Sequence, residues 1–320
     1  MSVEKIHSGK VPHVNESMLS QDENFSRDWE YPRSIFTSDG NIMKLHDMKP
    51  LSEEVLLPVA VFPVCAERVE LWKGIVRGLV SRGRRVLITD ALHGIAYSRN
   101  SISLNDRATD VEYRKTAAVF AGMAAAHVEK VRGVGHSEGC IELLIAAASY
   151  PERFRDLCLI APAGLMGKDT VSEFRQRQRE DGTITKKLHD DPTYKFEIHP
   201  DDPQPTDIKG VALLNPTQTA NEIRSIASIQ THDLLRIIKE SGIGVVIVHS
   251  KDDVVIPFDR LMRTLNRQKR PGEDDLSGVV DDVIMYSGAH SLLFDLPATF
   301  ADLVNGAFNA LESKRNAREI

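Results

Sequence analysis

Ser137 stands in the run Gly135-His136-Ser137-Glu138-Gly139, a spacing in which a serine can act as a nucleophile. A neutral hydroxyl attacks carbonyl carbon poorly, so it needs a general base, usually histidine, held in turn by a carboxylate. Two later segments carry those residue types. One is Ser250-Lys251-Asp252-Asp253-Val254-Val255-Ile256-Pro257, which offers two neighbouring aspartates; the other is Gly288-Ala289-His290-Ser291. A set of this kind performs acyl transfer, with the acyl group passing through the serine oxygen.

Each candidate follows a segment that reads as a strand. Val131 to Val134 precedes the serine, Ile243 to His249 precedes the aspartates, and Val279 to Tyr286 precedes the histidine. Ile141 to Ala148 reads as a helix, so Ser137 lies at a strand-turn-helix junction, the context of a nucleophile elbow. Glycines at both ends of the turn let strand and helix approach closely. Other strands are predicted at Tyr31 to Thr37 and Ile42 to Met48, around the turn Ser38-Asp39-Gly40-Asn41, and at Leu56 to Phe62, Arg85 to Thr89 and Leu157 to Ala161. Helices are predicted at Glu67 to Ser81, Asp110 to Lys130, Phe258 to Gln268 and Pro297 to Ser313. Strands alternating with helices predict an α/β fold, a doubly wound and mostly parallel sheet with helices on both faces. In such sheets the reactive groups collect at the carboxyl ends of the strands, which is where all three candidates fall.

The rhythm breaks between residues 167 and 241, a charged stretch with helical pieces at Val171 to Arg179 and Thr219 to Ser228. About 75 residues is too long for an ordinary connection, so this stretch is expected to be an inserted, mostly helical cap. The chain then divides into a flexible arm at 1–28, a core at 29–166 and 242–320, and the cap at 167–241.

With 320 residues, a formal net charge of -6 and 42% apolar residues, the chain reads as a soluble globular protein. The acidic charge argues against a general nucleic-acid surface. No apolar run reaches the roughly 18 residues of a membrane span. The polar N-terminus carries no apolar signal core. Cys65, Cys140 and Cys158 are odd in number and widely spaced, matching neither a disulfide framework nor a metal knuckle, so a cytoplasmic location is expected.

On these residues the chain resembles the α/β-hydrolase superfamily, from about Tyr31 to the last helix. The resemblance rests on the order serine, aspartate, histidine along the chain. It implies a catalytic triad of Ser137, His290 and Asp253, since the family's acid usually stands four residues before the proline, here Pro257; Asp252 is the neighbouring alternative. It also implies an oxyanion hole made by the backbone N–H of Glu138 and one from the loop after Leu56 to Phe62. There the chain departs from the family's histidine-glycine and reads Phe62-Pro63-Val64-Cys65. Proline has no N–H to give, so Val64 aligns with the donor and Cys65 is the fallback. A second departure is Asp90-Ala91-Leu92-His93-Gly94-Ile95-Ala96-Tyr97-Ser98, where the family's first glycine is shifted and its second missing.

The activity implied is a serine esterase acting on a small-molecule acyl substrate (a carboxylic ester, thioester or lactone), with neither metal nor organic cofactor. Acyl transfer or carbon–carbon hydrolysis would use the same triad, and a silent ligand-binding protein on the same scaffold is a third alternative. A dehalogenase or epoxide hydrolase of this fold would carry an aspartate at position 137. The remaining candidates read as structural. His136 is expected to pack or hydrogen-bond beneath the elbow, His249 to close a strand, and Cys140 to act as a small buried hydrophobe. His189-Asp190-Asp191 and His199-Pro200-Asp201-Asp202 read as solvated loops, and Arg175 to Asp181 as an exposed helix face.

Overall fold

The computed structural model describes residues 24–36, 42–50, 56–63, 69–90, 108–200, 202, 216–272 and 275–317. Eight strands form one sheet: β1 (Arg33–Phe36), β2 (Ile42–Met48), β3 (Leu56–Phe62), β4 (Arg84–Asp90), β5 (Val131–His136), β6 (Phe154–Ile160), β7 (Gly244–Ser250) and β8 (Asp282–Tyr286). Their spatial order is β1-β2-β4-β3-β5-β6-β7-β8. β2 runs antiparallel to both β1 and β4, and every other pairing is parallel. The expected hairpin is therefore present as β1 and β2, while its turn at 38–41 lies outside the described residues.

Alternating side chains feed two cores. Val59 and Val61 of β3, with Val246 and Val248 of β7, join Trp72, Ile75, Leu79, Phe300, Val304 and Phe308 on one face. Ala60 and Phe62, with Val245 and Ile247, join Leu143, Leu144, Leu261 and Leu265 on the other. That period of two is the pleat of a strand covered on both sides, and it explains why β5 and β7 are buried at every position. The first face is covered by α2 (Lys73–Ser81) and α9 (Pro297–Asn316). The second is covered by α3 (Ala108–Ala125), α4 (Gly139–Ser149), α7 (His232–Glu240) and α8 (Phe258–Arg267).

Three expectations need correction. The arm expected at 1–28 includes part of a helix, α1 (24–30), and Phe25 and Trp29 are buried against the sheet, with Trp29 lying over His46 at 4.4 Å between ring centres. Two aromatics four residues apart on one helical face suffice to dock it. The stretch 167–241 also divides. Its last helix, α7, puts Leu235 and Ile238 into the main core and so belongs to the layer beside α4. The remainder holds α5 (Val171–His189) and α6 (Pro216–Ser228). Third, the helix expected to run to Lys130 stops at Ala125. His127 takes a left-handed φ of 53°, and its N–H and that of Val128 bond back to Ala124 and Met123, closing the helix end.

α5 and α6 rest on the carboxyl edge of the sheet through a third apolar cluster. Ile141 and Ile145 of α4 meet Phe174, Ile223 and Ile226 there, with Val255 and Ile256 from the loop after β7. Among the described residues no helix is long and apolar enough to cross a membrane.

One close approach positions the site. A Cβ on Gly139 would stand 2.1 Å from the backbone oxygen of Phe62, an atom that cannot swing aside. Gly139→Ala is therefore expected to destabilise the fold by about 3 kcal/mol, since overpacking against rigid backbone forces the elements apart. Urea unfolding followed by circular dichroism measures it, and a midpoint equal to wild type would mean that β3 and α4 separate without cost.

Candidate active site

Ser137 sits between β5 and α4 with a φ of 49°, in the left-handed region that a non-glycine residue rarely adopts. Hydrogen bonds on both sides hold it there. Its N–H donates to Ile160 O of β6 at 2.9 Å, and its carbonyl accepts from Ala163 N at 3.0 Å and Cys140 N at 3.1 Å. Such over-determined strain is how an elbow keeps a serine at a strand end. The Ser137 side chain stands at the N-terminal end of α4, where unpaired amides carry partial positive charge.

His290 lies in the loop after β8, and its Nδ1 meets Asp253 Oδ2 at 2.7 Å. The other Asp253 oxygen accepts the N–H groups of Val255 and Ile256, both at 2.8 Å. Burial raises the cost of the Asp253 charge. The positive His290 ring, the bond to it and the Ile256 N–H outweigh that, holding the carboxyl below its usual range. Asp252 does different work. Its Oδ2 accepts the N–H of Gly288 at 3.2 Å, and Ser250 Oγ donates to Gly288 O at 2.6 Å, so this pair ties the histidine loop to the end of β7.

His136 and His249 lie beneath these groups. The His136 ring is 5.0 Å from the His290 ring, between centres, and its Nε2 lies 3.2 Å from His290 O. Because position 136 directly precedes the serine, this contact brings the histidine loop to the elbow. Burial, and then the neighbouring His290 charge, press the His136 pKa well down, so the ring is neutral and donates to that carbonyl. His249 is likewise lowered by burial, and its Nε2 faces Ile256 O at 2.9 Å. Cys140 is fully buried, and its thiol is pushed up by burial first and the Cys158 sulfur second. Val64, Cys65 and residues 91–98 lie outside the described residues.

No family model matches the sequence, and no curated protein matches it. Solved structures do. A bacterial membrane phospholipase A superposes with a TM-score of 0.63 at 16% identity, covering 92% of each chain. An esterase from Exiguobacterium antarcticum gives 0.59 at 15%, over 87% of this chain and 99% of that one. An enol-lactonase from Burkholderia xenovorans gives 0.59 at 12%, over 87% and 100%. The chain has the α/β-hydrolase fold.

Within this hydrolase fold the structure also assembles a group of charged side chains that the sequence did not single out, around Glu138, whose backbone N–H alone was expected to matter. Glu138 and Glu142, one turn apart, are buried beside Lys115 of α3, whose Nζ stands 3.0 and 3.2 Å from them. Glu112 completes the group and accepts a short hydrogen bond from Ser225 of α6. These three carboxylates are the one set among the described residues spaced to hold a metal ion, and the Lys115 ammonium already supplies positive charge there. Burial, opposed by Lys115 and reinforced by Glu142, raises the Glu112 pKa to about 7. The visible signal was a pair of glutamates four apart, flanking the apolar start of the elbow helix.

The face assigned to solvent at Arg175 to Asp181 points partly inward. Thr170 and Glu173 form a reciprocal cap that sets the phase of α5. In that phase Phe174 and Asp181 are buried, and Arg177 Nε donates to Val255 O at 3.0 Å. His189 and Asp202, read as parts of solvated loops, are anchors. His189 Nε2 meets Asp295 Oδ2 at 2.9 Å, and Asp202 takes Arg77 at 2.6 Å.

Glu112 makes stability depend on pH. Its folded pKa of about 7 lies above the ordinary 4.5, so its contribution is full below pH 4.5 and is lost as pH rises through 7. The loss is about 3 kcal/mol. Glu112→Gln keeps an acceptor for Ser225 without the charge. It is therefore expected to gain about 3 kcal/mol on wild type between acid and mildly alkaline solution. Urea unfolding of both proteins at either end of that window checks it, and parallel pH dependences would refute the assignment.

Proposed function

We propose that the protein is a serine hydrolase that cleaves carboxylic esters, including thioesters and lactones, through an acyl-enzyme. Ser137 attacks the acyl carbon as His290 takes its proton, and the imidazolium that forms is stabilised by Asp253. His290 then gives the proton to the leaving group. Water, activated by the same ring, releases the acid and returns the serine. The Glu138 N–H and the N-terminus of α4 face the developing oxyanion, and the second donor is assigned to Val64. One such donor contributes about 3 kcal/mol of transition-state stabilisation. α5 and α6 form the cap over the strand ends and select the acyl and leaving groups.

The observation that carries this reading is the 2.7 Å bond from His290 Nδ1 to Asp253, which leaves Nε2 as the ring's working nitrogen. The left-handed Ser137 at the end of β5, on the same carboxyl edge of the sheet, supports it. So does the company of an esterase and an enol-lactonase with the same fold.

A serine-directed fluorophosphonate is expected to label wild type and to leave Ser137→Ala unlabelled. Turnover of p-nitrophenyl acetate should fall by at least about 10⁴-fold in that variant. Folded wild type that takes no label would sink the hydrolase reading, and labelling that survives the substitution would put the nucleophile elsewhere. A panel of esters graded in acyl length then reports what the cap admits.

A further inference from the structure

His290 is gripped from three directions. Its ring nitrogen meets Asp253 in the loop after β7, and its carbonyl meets His136 at the end of β5. Its backbone N–H donates to Asp181 Oδ1 at 2.9 Å, and Asp181 belongs to α5, outside the sheet. Of the 19 residues of α5 only Phe174 and Asp181 are buried, so a helix that is otherwise wet turns an acid inward. A carboxylate removed from water needs donors or positive charge around it. Asp181 finds both at His290: the main-chain N–H, and the ring's charge when it is protonated.

We propose that Asp181 is a positioning residue for His290, so that α5 must be seated for the general base to be correctly placed and fully basic. The proposal rests on the serine-hydrolase reading for its kinetic consequences. α5 is itself seated through its neighbours on the same face. Phe174 packs beside Val255 and Ile256, Arg177 binds the Val255 carbonyl, and His189 binds Asp295 beyond the histidine. One helix therefore touches the loops that carry both the base and its acid. Movement of α5, as a cap would require for substrate entry, withdraws an acceptor from His290 and a negative neighbour from its ring.

The groups facing His290 set the sign of the effect. Asp253 comes from the loop after β7, Asp181 from α5, His136 from β5, His249 from β7, and Tyr286 of β8 is buried beside both carboxylates. The two histidines are pressed toward neutrality and the buried tyrosine is held protonated. The charges that favour an imidazolium are therefore the two aspartates. Neutralising Asp181 destabilises the protonated ring and lowers its pKa, which moves the acid limb of the rate profile to lower pH.

The test compares Asp181→Asn and Asp181→Ala in the full chain, with p-nitrophenyl acetate as substrate. Asp181→Ala loses both acceptor and charge, and kcat is expected to fall about tenfold with KM little changed. Asp181→Asn keeps an acceptor, so kcat should recover to within about threefold of wild type while the acid limb stays shifted. NMR titration of the His290 ring should show its pKa lowered by about one unit in Asp181→Asn. That titration needs no activity. If wild type turns over no ester, the hydrolase reading fails while the ring titration still decides whether Asp181 acts on His290. If Asp181→Ala does not fold, the Asn variant decides alone. An unchanged ring titration overturns the proposal, as does a defect confined to KM, which would place Asp181 on the substrate.

Discussion

The elbow helix meets the end of β3 backbone to backbone, with no room for even a methyl group at Gly139 beside the Phe62 oxygen. The residues of the candidate site are arranged around that contact. With α4 pressed against β3, the turn between β5 and α4 has only a short path, and Ser137 takes up the geometry in a left-handed φ of 49°. β6 holds the other side through the bond from Ser137 N to Ile160 O. The serine is therefore held between strand and helix by its backbone, whereas Asp253 and His290 come from loops.

Those loops are tied both to one another and to the strand ends. Asp253 orients the His290 ring, Asp252 and Ser250 bind Gly288 two residues earlier, and His136 reaches the His290 carbonyl. The two adjacent aspartates thus divide the work, one holding the ring and the other the loop that carries it. Hydrogen bonds at separate points on one residue settle both the tautomer of its ring and its position.

A second polar group lies behind the elbow. Lys115 of α3 binds Glu138 and Glu142 of the elbow segment, and Ser225 of α6 binds Glu112. Three carboxyls around one ammonium hold a proton on Glu112 near neutral pH, because burying two uncompensated charges costs more than raising one pKa. Through these contacts Glu138, the residue after Ser137, is joined to helices on both sides of it. Two charged assemblies, one at His290 and one at Glu138, therefore connect the sheet to the helices inserted between β6 and β7.

Much of this was legible from local pattern. Ser137, the paired aspartates and His290 each follow a strand, and period-two alternation and Gly-Ser-Gly spacing are local properties of the chain. Pattern also specified a mostly parallel α/β sheet, because burial on both faces writes itself as continuous apolar runs such as Gly244–Ser250. It left open which of two adjacent aspartates faces the histidine, since one residue of difference in a loop reverses a side chain's direction. Only the tertiary structure decided that Asp253 takes the ring and Asp252 the loop. The same holds for Asp181 and Asp202, charged residues in polar stretches that read as solvent-facing. Sequence reports how a residue compares with its neighbours along the chain. The worth of a charge depends on what the fold brings to it from far away, and Asp181 meets His290 across 109 residues.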